Sequence, residues 1–190
     1  MSDDGPFVHA WVLPREIDEA RWIELRADAT RVLRTASARL EAGRADDAPG
    51  VLRGPEGLGL PNVGADRIAL NGSAFRGEAG DAFVLERRAT SGVVARAGAG
   101  NAGRTVRRCN TRGHPYDLAV CALLLTVQRH LGEQMRLGTS GGLRHGWRDA
   151  ADVVRHALEV AGELAQSEQG MISWTAGRPR DHETRVRTSA

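Results

Sequence analysis

The chain has 190 residues, enough for one domain with a sizeable core, and its 41% hydrophobic and 26% charged content is ordinary for a globular protein. A formal net charge of +2 is too small to argue for nucleic acid, and two cysteines make no disulfide framework. No segment approaches the ~18–20 apolar residues needed to cross a bilayer, and the acidic Met-Ser-Asp-Asp start lacks a secretory signal's basic opening, so the expected compartment is the cytoplasm.

Phe7–Leu13 is a short β-type run that stops at Pro14. A long helix follows over about Asp18–Ala42, because Trp22, Leu25, Ala29, Val32, Ala36 and Leu40 recur at three- and four-residue steps. Glu16, Asp18 and Glu19 at its start and arginines toward its end suit the helix dipole. Residues 43–65 read as a loop rich in Gly, Pro and Asp. Its Gly54–Pro61 stretch lacks the Gly-Lys-Ser/Thr that a phosphate-cradling loop needs.

Arg67–Leu70 reads as a brief strand ending in an Asn71-Gly72 turn signal, and Asp81–Arg88 as another strand. Ala97–Gly103 is too poor in side chains to pack, and Arg104–Cys109 returns as a strand. The segment from about Pro115 to Leu131 is apolar nearly all round and predicts a helix lying centrally against the sheet. Met135–Leu137 is expected as an edge strand. A last amphipathic helix would carry Trp147, Ala151, Val154, Leu158, Ala161 and Ala165 on one face. Residues 1–167 then make one domain. Residues 168–190 are expected to be a disordered tail unless Trp174 docks. Short, turn-linked strands with few helices predict an α+β two-layer sandwich with a mainly antiparallel sheet and two to three helices, ferredoxin-like or a variant.

Charge is unevenly spread along the chain. It runs from −3 over residues 1–50 through +1 over 51–100 to +5 over 101–150, then −1 over 151–190. Residues 87–116 hold seven arginines and no Asp or Glu. Lysine is absent from the whole chain, which reflects codon usage, but codon usage does not explain a thirty-residue tract without an acid. The tract runs into the apolar helix, and free backbone N–H groups at a helix start favour phosphate or carboxylate. Arg104, Arg107, Arg108, Thr111, Arg112, His114, Tyr116 and Asp117 are therefore the candidate anion-binding residues. Strand alternation puts Arg104 and Arg108 on one side and Arg107 on the other.

The six histidines are scattered, and no His, Cys and Asp set has zinc-ligand spacing along the chain. No metal, cofactor or catalytic residue is assigned. Cys109 with His114, or Ser140 with His145, pair a nucleophile with a base only on paper. Cys121 lies in the apolar run and reads as a small core residue.

The elements Ile68-Ala69-Leu70-Asn71-Gly72, Asp81-Ala82-Phe83, Cys109-Asn110-Thr111 and Pro115-Tyr116-Asp117, followed by the apolar helix, carry a resemblance. Over residues 66–131 the chain resembles a family of small proteins of unknown function found in bacteria, their phages and plasmids. It departs from that pattern at Asn110, where lysine is expected. The resemblance implies that Cys109–Asp117 works as one unit and suggests a mobile-element or accessory setting.

The leading expectation is a small binding protein whose basic strand, loop and helix start engage nucleic acid backbone or an acidic protein. The alternatives are an enzyme on a phosphorylated or nucleotide-like small molecule, with Arg107, Arg108 and Arg112 as a clamp and His114 or Asp117 moving a proton, or an oligomeric scaffold using the long helix and Trp174.

Overall fold

The structure is a computed structural model that describes residues 7–42, 50–90, 93–94, 103–143 and 146–176. The first strand, β1 (Val8–Pro14), alternates buried His9, Trp11 and Leu13 with Val8, Ala10 and Val12. That period-2 pattern is what a strand covered on one face requires. Helix α1 (Glu19–Ala42) follows and buries the expected stripe of Trp22, Leu25, Ala29, Val32 and Ala36.

Three short strands come next: β2 (Asn62–Val63), which falls within the stretch expected to be loop, β3 (Arg67–Leu70) and β4 (Phe83–Glu86). They form an antiparallel three-stranded sheet in the order β2-β3-β4. Strands β5 (Val93–Val94) and β6 (Arg104–Asn110) follow, then α2 (Asp117–Leu131), β7 (Arg136–Thr139), α3 (Trp147–Leu158), β8 (Gly162–Gln166) and β9 (Met171–Ala176). Of the loop expected over residues 97–103, positions 97–102 lie outside the described residues.

The second sheet has six strands in the order β5-β6-β1-β7-β9-β8, every neighbouring pair antiparallel. Both β6 and β7 run antiparallel to β1 between them, so they are parallel to each other, and α2 is their crossover. The same holds for β7 and β8 around β9, with α3 as crossover. The result is an α+β sandwich of two linked split βαβ units. Helices α1, α2 and α3 contact one another, and α2 is buried over nearly its whole circumference, as its composition predicts.

Three expectations need correction. Strand β7 is not at an edge, because β9 pairs on its far side. The last helix stops at Leu158: Glu159 takes a left-handed φ of 55°, the chain reverses, and Ala165 sits in β8 instead. The tail expected from residue 168 is partly folded. Residues 171–176 are strand β9, and Trp174 does dock, at 6% exposure; positions 177–190 lie outside the described residues. A strand inserted between two others is invisible to a reading that relies on local apolar density, since among its described side chains only Ile172 and Trp174 face inward.

One side chain closes an opening in this sheet. Beyond Leu137↔Ile172 the ladder between β7 and β9 stops, and Gln128 of α2 takes its place. Its Nε2 donates to Ile172 O at 3.0 Å and its Oε1 accepts from Trp174 N at 2.9 Å. A buried amide making two backbone hydrogen bonds leaves two orphaned groups if it is removed. Gln128→Ala is therefore expected to cost about 2–4 kcal/mol in urea unfolding; a loss below 0.5 kcal/mol on the order of an exposed-surface change would contradict this role.

Candidate functional site

The residues of β6 divide between two faces. Thr105, Cys109 and Thr111 are buried on the helix side and Arg107 is half-buried there, in register with Leu13, Trp11 and His9 of β1. Arg104, Val106, Arg108 and Asn110 point to the other side, opposite Pro14, Val12, Ala10 and Val8. The predicted alternation is what is observed, and it separates the candidate residues.

Three of the six described arginines of the acid-free tract, Arg87, Arg88 and Arg107, are neutralised by acids brought in from elsewhere. Arg88 pairs with Glu16 at 2.7 Å, and Arg87 with Glu19 at 3.5 Å and Asp66 at 3.9 Å. Arg107 pairs with Glu86 of β4, an ion pair that, with the Trp11–Phe83 ring contact at 5.4 Å, ties the two sheets together. Arg107 and Arg108 therefore face opposite sides of the sheet and do not form a clamp on one anion. Arg108 is exposed and has no acidic partner among the described residues. Arg104 is half-buried, and its Nη1 is enclosed without a hydrogen bond.

The loop that follows is a tight turn. Arg112 and Gly113 both have positive φ, 56° and 70°, and His114 N donates to Thr111 O at 3.0 Å across them. Two consecutive positive φ values are the mark of a type I′ turn, which favours Gly or Asn, so Arg112 is held in a costly conformation. Arg112 is exposed and His114 half-buried.

The remaining candidates turn inward. Thr111 is fully buried and its hydroxyl donates to Asp117 Oδ1. Asp117, the first residue of α2, also accepts from His9 Nε2 at 2.7 Å and from the Cys121 thiol at 3.6 Å. Its carboxylate therefore supplies the negative charge that the helix start favours, and the anion site predicted at that start is filled from within. Thr139 Oγ1 lies 3.2 Å from His9 Nδ1, and the Trp147 ring packs edge-on to the imidazole at 5.3 Å. Sequence reading missed this cluster because His9 and Asp117 are 108 residues apart. The only signal was a histidine at an inward position of an otherwise apolar strand.

Tyr116 is buried and donates to Asp81 O at 2.9 Å, beside the Cys109 thiol, which donates to the same carbonyl at 3.3 Å. Asn71 anchors the adjoining loops: its Oδ1 accepts from Gly72 N and Gly80 N, and its Nδ2 donates to Pro55 O and Gly80 O. Gly80 lies so close to Tyr116 and to the β6 backbone that no Cβ fits there. The four short elements over residues 68–117 thus meet in one place as a structural joint. Of the paper nucleophiles, Cys109 contacts Asp81 rather than His114. Ser140 Oγ accepts from Val8 N at 3.0 Å, and His145 lies outside the described residues.

Neither thiol is an activated nucleophile. Burial, then the charges of Asp81 and Asp117, push Cys109 up to about 12. Burial and Asp117 push Cys121 well above the ordinary thiol range, and burial raises Tyr116 likewise. No protein-family model, no curated protein and no solved structure matches the chain.

These raised values set an alkaline limit on stability. Unfolded Cys109 loses its proton near its ordinary value of 9.0, while the folded thiol keeps it to about 12. Above pH 9 the unfolded state therefore binds fewer protons, and stability falls as pH rises toward 12, by up to about 1.4 kcal/mol per pH unit per group. Urea unfolding at pH 8 and 10.5 should show this loss, with a shallower slope in Cys109→Ala; equal slopes in the two proteins would contradict it.

Proposed function

We propose that this is a small cytoplasmic accessory protein that binds the phosphate backbone of nucleic acid on the open face of its six-stranded sheet. The observation that carries the reading is the contrast between paired and unpaired arginines. Arg87, Arg88 and Arg107 each have a carboxylate. Arg108 and Arg136 are exposed on one sheet face with no acidic partner among the described residues.

The register places them as a pair. Arg108 lies opposite Ala10, which lies opposite Gly138; Arg136 lies opposite Val12, which lies opposite Val106. Two strand spacings and two residues along the strand put their Cα atoms roughly 12 Å apart. Between them are Ala10, Val12 and Gly138, side chains too small to keep a polyanion away. Arg104 continues the row on β6, and Arg112 projects just beyond its end. The face carries acid among its described strand residues only at Glu163 on the far edge strand β8, so its cationic part is the β6–β1–β7 half.

Its described strand residues include no aromatic side chain, so stacking on bases is not available, and contacts to phosphate give affinity without sequence preference. A phosphate-binding accessory role also suits the resemblance to proteins of phages and plasmids.

Retention on DNA should fall steeply with salt. Arg108→Ala with Arg136→Ala should reduce the slope of log K against log salt by about 2, while Arg88→Ala leaves it unchanged. Absence of binding at low salt, or binding untouched in the double variant, removes the reading; retention on an acidic protein but not on DNA would reassign the partner. Arg112→Gly should separate binding from folding: affinity weakens while stability holds or rises by up to about 1 kcal/mol as the left-handed strain is relieved. A marked loss of stability would contradict the strain at Arg112.

A further inference from the structure

Independently of the basic face, we propose that His9, Asp117 and Cys121 form a binding site for a single divalent transition-metal ion of the zinc class. The three residues bring an imidazole, a carboxylate and a thiol together on the helix side of the sheet, and their ligand atoms all lie within 4.8 Å of one another. Asp117 and Cys121 are one turn apart on α2 and so share its face, while His9 reaches them from β1.

The spacing suits a tetrahedral ion. Cys121 Sγ is 3.8 Å from His9 Nε2 and 3.6 Å from Asp117 Oδ2, close to the edges of roughly 3.3–3.7 Å that bonds of about 2.0–2.3 Å produce. His9 Nε2 meets the other carboxylate oxygen, Oδ1, at 2.7 Å in a hydrogen bond, so the carboxylate turns a different oxygen to each of the other two ligands. That hydrogen bond must open by about half an ångström for a metal to enter, a small rotation for a carboxylate side chain.

The surroundings hold these ligands in place. Thr139 Oγ1, which accepts from Gly141 N at 3.3 Å, sits 3.2 Å from His9 Nδ1 and is placed to accept an Nδ1–H. That tautomer presents the Nε2 lone pair to the metal, and the Thr111 hydroxyl fixes the carboxylate. Hydrogen-bonded partners of this kind orient metal ligands and raise their affinity. The Asp117 side chain retains 11% exposure, which gives the ion a way in.

Binding is a balanced exchange. The His9 proton moves from Nε2 to Nδ1, the Cys121 thiol proton leaves to solvent, and the two-plus ion takes the place of the His9 and Cys121 hydrogen bonds to the carboxylate, while the one from Thr111 stays. Sequence spacing could not show this set, because His9 lies 108 residues before Asp117.

The test is titration of the full chain, stripped with chelator, by Co²⁺ alone. One equivalent should bind, with a thiolate-to-cobalt charge-transfer band that Zn²⁺ displaces. Cys121→Ser should remove the band, and Cys109→Ser should keep it. Thr139→Val, which leaves all three ligands, should weaken binding by about 10–100-fold. Should Cys121→Ser fail to fold, the wild type decides: its melting midpoint must rise with added Zn²⁺ and return with chelator. Absence of one-equivalent binding with no midpoint shift, a cobalt complex without the thiolate band, or a band that persists in Cys121→Ser overturns the site.

Discussion

Asp117 stands at the first residue of α2 with its carboxylate turned inward, and the chain's separate parts meet on it. His9 brings β1, Thr111 brings the end of β6, and Cys121 is the next turn of α2 itself. Gly146, at the start of α3 with a positive φ of 79°, lies beside the same carboxylate, where an added Cβ would come within 3.1 Å of Oδ2. A buried carboxylate is costly unless its oxygens are hydrogen-bonded. The pairing therefore selects the one register and helix angle that satisfy all its partners, and the central strand cannot slip by a residue without turning His9 outward.

The sorting of the arginines follows from that register. Once His9, Trp11 and Leu13 face the helices, Arg107 must share their side, and it is tolerated there because Glu86 of the smaller sheet meets it. Arg104 and Arg108 must share the other side, where neither has an acidic partner among the described residues. Positive charge thus collects on the open face through geometry, although the sequence offers a far longer basic tract.

The strands and helices with strong local patterns were readable: the stripe of α1, the apolar length of α2, and the alternation that set Arg107 apart from Arg108. What escaped shared one cause, dependence on distant partners. Nothing around Met171–Trp174 announces a strand until β7 and β8 flank it. Gln128, polar on an apolar helix, makes sense only beside the unpaired backbone of β9. Glu16, Glu19 and Glu86 neutralise arginines up to 72 residues away, so an acid-free window in the sequence was no guide to an acid-free surface. Asn71-Gly72 has the local pattern of a turn, but the Asn71 side chain fastens three loop segments, at Pro55, Gly72 and Gly80.

The role proposed for the open face is tested most directly by mapping backbone amide resonances during titration with a short DNA duplex at low salt. The shifts should concentrate on β6, β1 and β7, at Arg108, Ala10, Val12, Arg136 and Gly138, and vanish as salt is raised. Shifts confined to the helix side of the sheet, or none at all, would contradict it.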